Sequence, residues 1–371
     1  HINKRFLEEM RSQFGRSIYF SFLTLFFVNI SIVFAGTESK SDEFDVNEMI
    51  MHHIKDSHEF HIMDINGHAV SFPLPIILWT DNGLVSFLSS AFEHDDSGSV
   101  IVSRKGQDFV KYHEKIFYAN KNGSEKFISY DANGNIINKK PIDFSITKMV
   151  FSMFISMILL VLIFVSTAKT YSNSRKGEPT GLGKFTEPLI IFIKDEVALP
   201  MIGEKNYHKY MPFLLTLFFF IWINNVMGLI PFFPFSANLS GNIAFTFVLA
   251  AITFIITTLV ANKDYWKHIF WMPGIPVPMK LFLAPIEFLG IFIKPISLMI
   301  RLFANISAGH IIILSLISLI FIFKSLWLAP ASLFFSVFIS LIEVLVVAIQ
   351  AYIFTMLSAL YIGSAIEEHE H

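Results

Sequence analysis

The chain contains runs without a single Asp, Glu, Lys or Arg that are too long for the interior of a water-soluble domain. The longest covers 210–262, and others lie at 17–37, 149–168, 302–323, 325–342 and 344–366. A bilayer-spanning helix needs about 20 apolar residues. In lipid such a run must also satisfy its backbone hydrogen bonds internally, which restricts it to helix or closed barrel. Uninterrupted apolar runs, without the alternation of barrel strands, select helix. With 53% hydrophobic and 16% charged residues and 42 phenylalanines, the whole chain has the composition of a polytopic membrane protein. A net charge of −2 offers no cationic surface for nucleic acid. The absence of cysteine removes disulfides, thiolate metal sites and a cysteine nucleophile, so any part outside the membrane must fold on its core alone.

Punctuation between the runs sets the expected organisation. Lys4, Arg5, Arg11 and Arg16 precede an apolar stretch over 18–34, and Val33-Phe34-Ala35 fits a small-residue cleavage pattern, so 1–35 reads as a signal peptide, with an uncleaved membrane helix as the other reading. Residues 36–147 are polar. The turn pairs Asn66-Gly67, Asn82-Gly83, Asn122-Gly123 and Asn133-Gly134 alternate there with short β-rich runs, which predicts a meander of hairpins. Residues 148–371 form the membrane domain, with spanning helices near 149–168, 211–230, 243–261, 281–323 and 331–365. The amphipathic stretch 185–199 is predicted to lie on the membrane face. Lys169, Arg175, Lys176, Lys184, Lys194, Lys205 and Lys209, then Lys263, Lys267 and Lys280, mark the cytoplasmic side, whereas Lys324 alone lies at a hairpin tip. That puts the C-terminus inside. The expected fold is an all-α polytopic membrane protein with about five transmembrane helices and one interfacial amphipathic helix. Two of the helices are long, tilted and C-terminal, because a 40-residue helix rises about 60 Å, twice the hydrocarbon thickness. A small extracytoplasmic β-rich domain precedes them.

Within the apolar region stands Arg301, whose placement at the middle of a membrane helix costs at least about 2.5–3.5 kcal/mol. Arginine cannot release its proton to escape that cost. Glu287, Lys294 and Arg301 recur every seven residues and share a helix face, while Ser297, Arg301 and Asn305 recur every four. His310 turns to roughly the opposite face. On the last helix Glu343 and Gln350 are seven apart, so a helical hairpin would let that face approach His310. One reading is a packing cluster, to which Ser297 by itself belongs more naturally. Yet buried ion pairs are a costly way to hold helices together, and chains of acid and imidazole inside a membrane typify proton relays.

The stretch I-R-L-F-A-N-I-S-A-G-H (300–310), followed by E-V-L-V-V-A-I-Q-A-Y-I-F (343–354), resembles the a-subunit family of the F-type ATP synthase membrane sector. Supporting stretches are I-N-N-V-M-G-L-I-P (223–231), S-A-N-L-S-G-N-I-A-F-T (236–246) and P-I-E-F-L-G-I-F-I-K-P-I-S-L (285–298), and the resemblance covers about 145–366. It implies that Arg301 faces the carboxyls of a rotating c-subunit ring and separates two offset proton half-channels. Asn305, His310, Glu343 and Gln350 match the outer half-channel, and Glu287 with Ser297 the cytoplasmic one. The implied partners are the c-ring, the b-subunit peripheral stalk, the catalytic ATPase head, lipid and the transported proton, in a bacterial inner membrane. The resemblance implies no cofactor and no metal. This chain departs from some members by exchanging acid and imidazole between positions 310 and 343, and by carrying Asn225 and Gly228 near a position where some have Asp.

Other function classes fit less well. A secondary ion-coupled transporter tends to show inverted repeats around broken helices; Pro285 and Pro295 could break a helix, but no matching half precedes them. A passive cation channel is poorly served by an arginine in its path. An autonomous ATPase needs a P-loop, whereas G-E-P-T-G-L-G-K (177–184) has the wrong spacing and Phe185 follows in place of Ser or Thr. The chain is therefore expected not to be an enzyme by itself. His52, His53, His58, His61 and His68 raise metal binding, but their spacing matches no tight ligand motif.

Overall fold

The computed structural model describes residues 55–65, 68–120, 127–131, 135–173, 181–230, 234–235, 237–272, 274, 276–323 and 326–367. The signal-peptide segment, His52, His53 and the Asn-Gly pairs at 66–67, 122–123 and 133–134 lie outside them.

Among the described residues, eight strands make the N-terminal unit. β1 (Glu59–Ile65) and β2 (His68–Pro73) form an antiparallel pair with an irregularity between His61 and Met63. β3 (Pro75–Thr80) lies between β4 (Gly83–Leu88) and β8 (Ile142–Asp143), and β6 (Gln107–Tyr112) lies between β5 (Val102–Arg104) and β7 (Lys115–Tyr118). The simple meander expected from the turn pairs is thus corrected to three small sheets, with β8 returning to close the second. The β3–β4 turn does use Asp81-Asn82, and Gly83 after it takes φ 88°. The β6–β7 turn has no glycine: His113 and Glu114 both take positive φ, 49° and 60°, and the Glu114 amide donates to Asp96 Oδ1 at 2.7 Å. Alternation along β3 and β4 sends Ile76, Leu78 and Val85 onto Phe92, Val102, Phe109 and Ile116, a core built without disulfides.

Among the described residues, seven helices longer than one turn follow, the second of them built from three contiguous segments. α1 (Lys148–Asn173) is entered directly from β8. α2 (Gly183–Ile193) widens into a π-helical turn at Lys194–Ala198 and ends with Leu199–Ile202. α3 (Tyr207–Leu229) and α4 (Ile243–Val260) come next. α5 (Lys263–Phe270) is a short helix directly after α4. α6 (Val277–Ile322, 46 residues) and α7 (Ala329–Ile366, 38 residues) complete the chain. Five of these, α1, α3, α4, α6 and α7, are long and apolar enough to cross a membrane. α6 runs unbroken through Pro285 and Pro295, so neither breaks the helix.

The helices share one core, in which Val197, Leu214, Ile221, Leu302, Val347 and Phe354 are buried together. α7 presents its small residues to it: Ala351, Ser358, Ala359 and Gly363 are buried, and a Cβ on Gly363 would overlap the carbonyl oxygen of Met201. Small residues at helix contacts allow such backbone approach. Asn262 ties the start of the α4–α5 connection to the end of α7, its amide donating to Ala365 O and its Nδ2 to Ile366 O, both at 2.8 Å.

The β unit is joined to the bundle at the start of α1. Asp56 Oδ1 accepts from the Met149 amide at 3.0 Å and Ser57 O from the Lys148 amide at 2.8 Å, so the exposed amides of that helix end are capped from outside the helix. The Phe60 and Phe72 rings lie 5.7 and 5.8 Å from Phe151. Met149 in turn packs on Ala237 and Leu239, between α3 and α4.

Candidate functional site

α6 and α7 place the polar residues singled out above. On α6, Leu298, Leu302 and Ile306 face the core, while Arg301 stands exposed beside them. Asn305 lies one turn further on, and its Nδ2 donates to Gln350 Oε1 of α7 at 2.7 Å. His310 Nε2 lies 3.6 Å from Glu343 Oε1, also on α7. The structure therefore brings Asn305 to Gln350 and His310 to Glu343, two contacts between the same two helices. Glu343 and Gln350 are 4% and 1% exposed, so their polar groups are removed from bulk solvent.

Space for the acid comes from Gly309. A Cβ at that position would lie 2.7 Å from Glu343 Oε1 and 2.9 Å from its Cδ, closer than packing permits. Sequence spacing did not mark this glycine, nor Ser336, which continues the seven-residue series Ser336, Glu343, Gln350 along the buried face of α7. Spacing alone could have found Ser336, but it carries no charge to draw attention. Ser307 Oγ, Ser336 Oγ, Glu343 Oε1 and Gln350 Nε2 are buried with no hydrogen-bond partner among the described residues. Buried polar atoms are rarely left so, and sites of this kind ordinarily hold water.

A second polar group lies where α3 meets the loop before α4. Ser240 Oγ donates to Asn225 Oδ1, and Asn225 Nδ2, Asn224 Oδ1 and Asn238 Nδ2 are likewise buried without partners among the described residues. Gly228 faces this loop, and a Cβ there would meet Ala237 O at 3.3 Å.

The residues assigned to the opposite path sit apart from these. A small pocket between α4, α5, α6 and α7 is lined by Thr253, Thr257, Tyr265, Lys294, Tyr361 and Ser364, among others. Lys294 Nζ lies 5.8 Å from the Tyr361 ring centre. Burial and then the charge of Glu287 raise the pKa of the Tyr265 hydroxyl above its ordinary value. Ser297 is exposed. Among the described residues Glu287, Lys294 and Arg301 form no ion pair with one another, despite their common spacing.

Residues 150–363 match the family model described as ATP synthase A chain, and 49–144 match the model of a domain of unknown function, DUF8433. The chain is 43% identical over 235 residues to the ATP synthase subunit a of Chloroherpeton thalassium, covering 62% of this chain and 69% of that protein. It is 42% identical over 254 residues to the subunit a of Chlorobium phaeobacteroides, covering 66% and 72%. With the subunit a of Anaeromyxobacter dehalogenans it shares 35% identity over 285 residues, covering 74% and 72%.

Proposed function

Because this chain belongs to the ATP synthase A chain family and is a multi-pass membrane protein of ATP synthesis and proton transport, we propose that it is the stator through which protons reach and leave the rotating c-ring. The observation that carries this reading is the pairing of His310 with Glu343 and Asn305 with Gln350 on two membrane-length helices, beside an exposed Arg301.

Arg301 keeps its charge at any working pH. A ring carboxyl that comes opposite it is favoured as carboxylate and gives up its proton. The same fixed charge repels a proton that would pass straight across, so flow must go by way of the ring. His310, Glu343, Asn305 and Gln350 form the outer half-channel, fed by the buried polar cluster of Asn225 and Ser240. Glu287 and Ser297, with the Tyr265–Lys294–Tyr361 pocket, form the cytoplasmic one. The β-rich unit lies outside a bacterial inner membrane and the C-terminus inside. The b-subunit stalk holds the chain against the torque of the ring, and nucleotide chemistry belongs to the catalytic head. Moving one charge through 100 mV yields only about 2.3 kcal/mol, so several protons must be summed per nucleotide, which a stepping ring achieves.

Arg301→Ala tests this directly. Membrane vesicles carrying the variant complex are expected to assemble the c-ring and head as usual but to make no ATP from an imposed proton gradient. Synthesis at the normal rate would overturn the assignment.

A further inference from the structure

One face of the sheet formed by β4, β3 and β8 is apolar and uncovered. The register sets Leu84 beside Trp79 and Leu88 beside Pro75, with Ile142 on the other side of Trp79. The Phe144 amide continues the ladder to Ile77 O at 2.9 Å and the Ile146 amide to Pro75 O at 3.0 Å. Since Ile76, Leu78 and Val85 point into the core, the alternate positions point away from it. Trp79, Leu84, Leu88, Ile142 and Phe144 are accordingly 50–62% exposed. Ser86, opposite Ile77, is the one polar side chain among these rungs. A contiguous apolar patch of this kind marks a contact surface.

Three observations indicate what it contacts. Phe144 precedes Lys148, the first residue of α1, by four positions, which at about 3.3 Å per extended residue is roughly 13 Å. The β unit is not held off on a stalk: Asp56 caps α1, and Phe60 and Phe72 reach Phe151 in its first turn. Below that level α1 continues with an apolar surface of the same character, since Phe154, Ile158, Val161 and Leu162 are 46–59% exposed. A Trp and a Phe among aliphatic residues suit the membrane–water interface.

We propose that this sheet face rests in the interfacial lipid of the outer leaflet, with Phe144 and Leu88 inserted and Trp79 toward the headgroups. The proposal rests on the reading that the β unit lies outside. The chain has no native cysteine, so Phe144→Cys, Leu88→Cys and, at the β3–β4 turn, Asp81→Cys can each be spin-labelled as the only cysteine of this chain before its reconstitution into the complete complex in lipid nanodiscs. Labels at 144 and 88 are expected to be relaxed more strongly by oxygen than by an aqueous nickel chelate, and the label at 81 the reverse. Stronger relaxation by nickel at 144 and 88 would overturn the contact. So would protection from both reagents, which would mean a protein covers the face. Sidedness is read separately: an impermeant maleimide should label Asp81→Cys in right-side-out vesicles. Its failure to do so overturns the outer location while leaving the lipid contact to the spin-label result.

Discussion

Gly309 governs the approach of two helices through what it lacks. With hydrogen alone on its Cα, α6 leaves room for the Glu343 carboxyl, and any side chain there meets Oε1 and Cδ at under 3 Å. Gly309→Ala is therefore expected to displace the acid from His310 and to reduce ATP-driven proton pumping in vesicles severalfold, with normal amounts of assembled complex. Gly290→Ala, on the same helix with nothing within 4 Å of the added Cβ, serves as the comparison. That variant should pump normally, since alanine is the better helix former by about 1 kcal/mol. Equal pumping by both would remove the role given to the glycine. At this scale, Glu343, Gln350 and His310 stood out because polar and titratable groups are conspicuous in an apolar run. Gly309, Gly228 and Ser336 were not, since a glycine's importance lies in the atoms that approach it from elsewhere in the chain.

Charge marked the starts of α1 and α3, near Lys148 and Lys209, whereas α4 begins inside a charge-free run and α6 carries Glu287, Lys294 and Arg301 within it. What the sequence hid was lateral. The π-helical turn at Lys194–Ala198 interrupts the amphipathic stretch predicted over 185–199, and the helix Lys263–Phe270 is short and lies in a charged stretch. Their placement comes from packing, as when Val197 and Ala198 are buried against the bundle. The tightest such contact is between α7 and the turn Leu199–Ile202, where the Met201 carbonyl occupies the space a side chain on Gly363 would need. The obstruction is backbone on both sides and cannot rotate away. Gly363→Ala is thus expected to force the two elements apart, at the order of 1–3 kcal/mol or more typical of overpacking. The readout is a lower melting temperature of the detergent-purified complex, or loss of the chain from it. An unchanged melting temperature would show that the turn can move aside at little cost.

Between the two units of the molecule lies a buried set of charges. His58, 4% exposed, has Nε2 3.0 Å from Asp143 Oδ2 and Nδ1 3.9 Å from Glu114 Oε2. Lys111 Nζ lies 3.6 Å from Glu59 and 3.7 Å from Glu114, whose turn residues carry positive φ. Burial would depress His58, but hydrogen bonds to Asp143 and Glu114 and their charges prevail and push it up to about 9, above the ordinary 6.5. A histidine raised on folding stabilises fully below its unfolded pKa, and that contribution fades as pH climbs through the folded value. The β unit should accordingly hold its protease resistance near pH 6.5 and lose it progressively toward and beyond pH 9, while His58→Gln should flatten that dependence. A wild-type profile that stays level over this range would contradict it. Composition marked a polar unit here and the Asn82-Gly83 pair its β3–β4 turn, but not this cluster, whose members come from β1 and the residue before it, β6, β8 and the β6–β7 turn. Meanwhile the distance between His310 and Glu343 has its own meaning. At 3.6 Å the two groups are close enough to pair but just beyond hydrogen-bond length. On the proposed route a proton therefore passes between them by way of a bridging water or a small swing of one side chain, so the half-channel works as a relay of separate hops and not as a continuous wire.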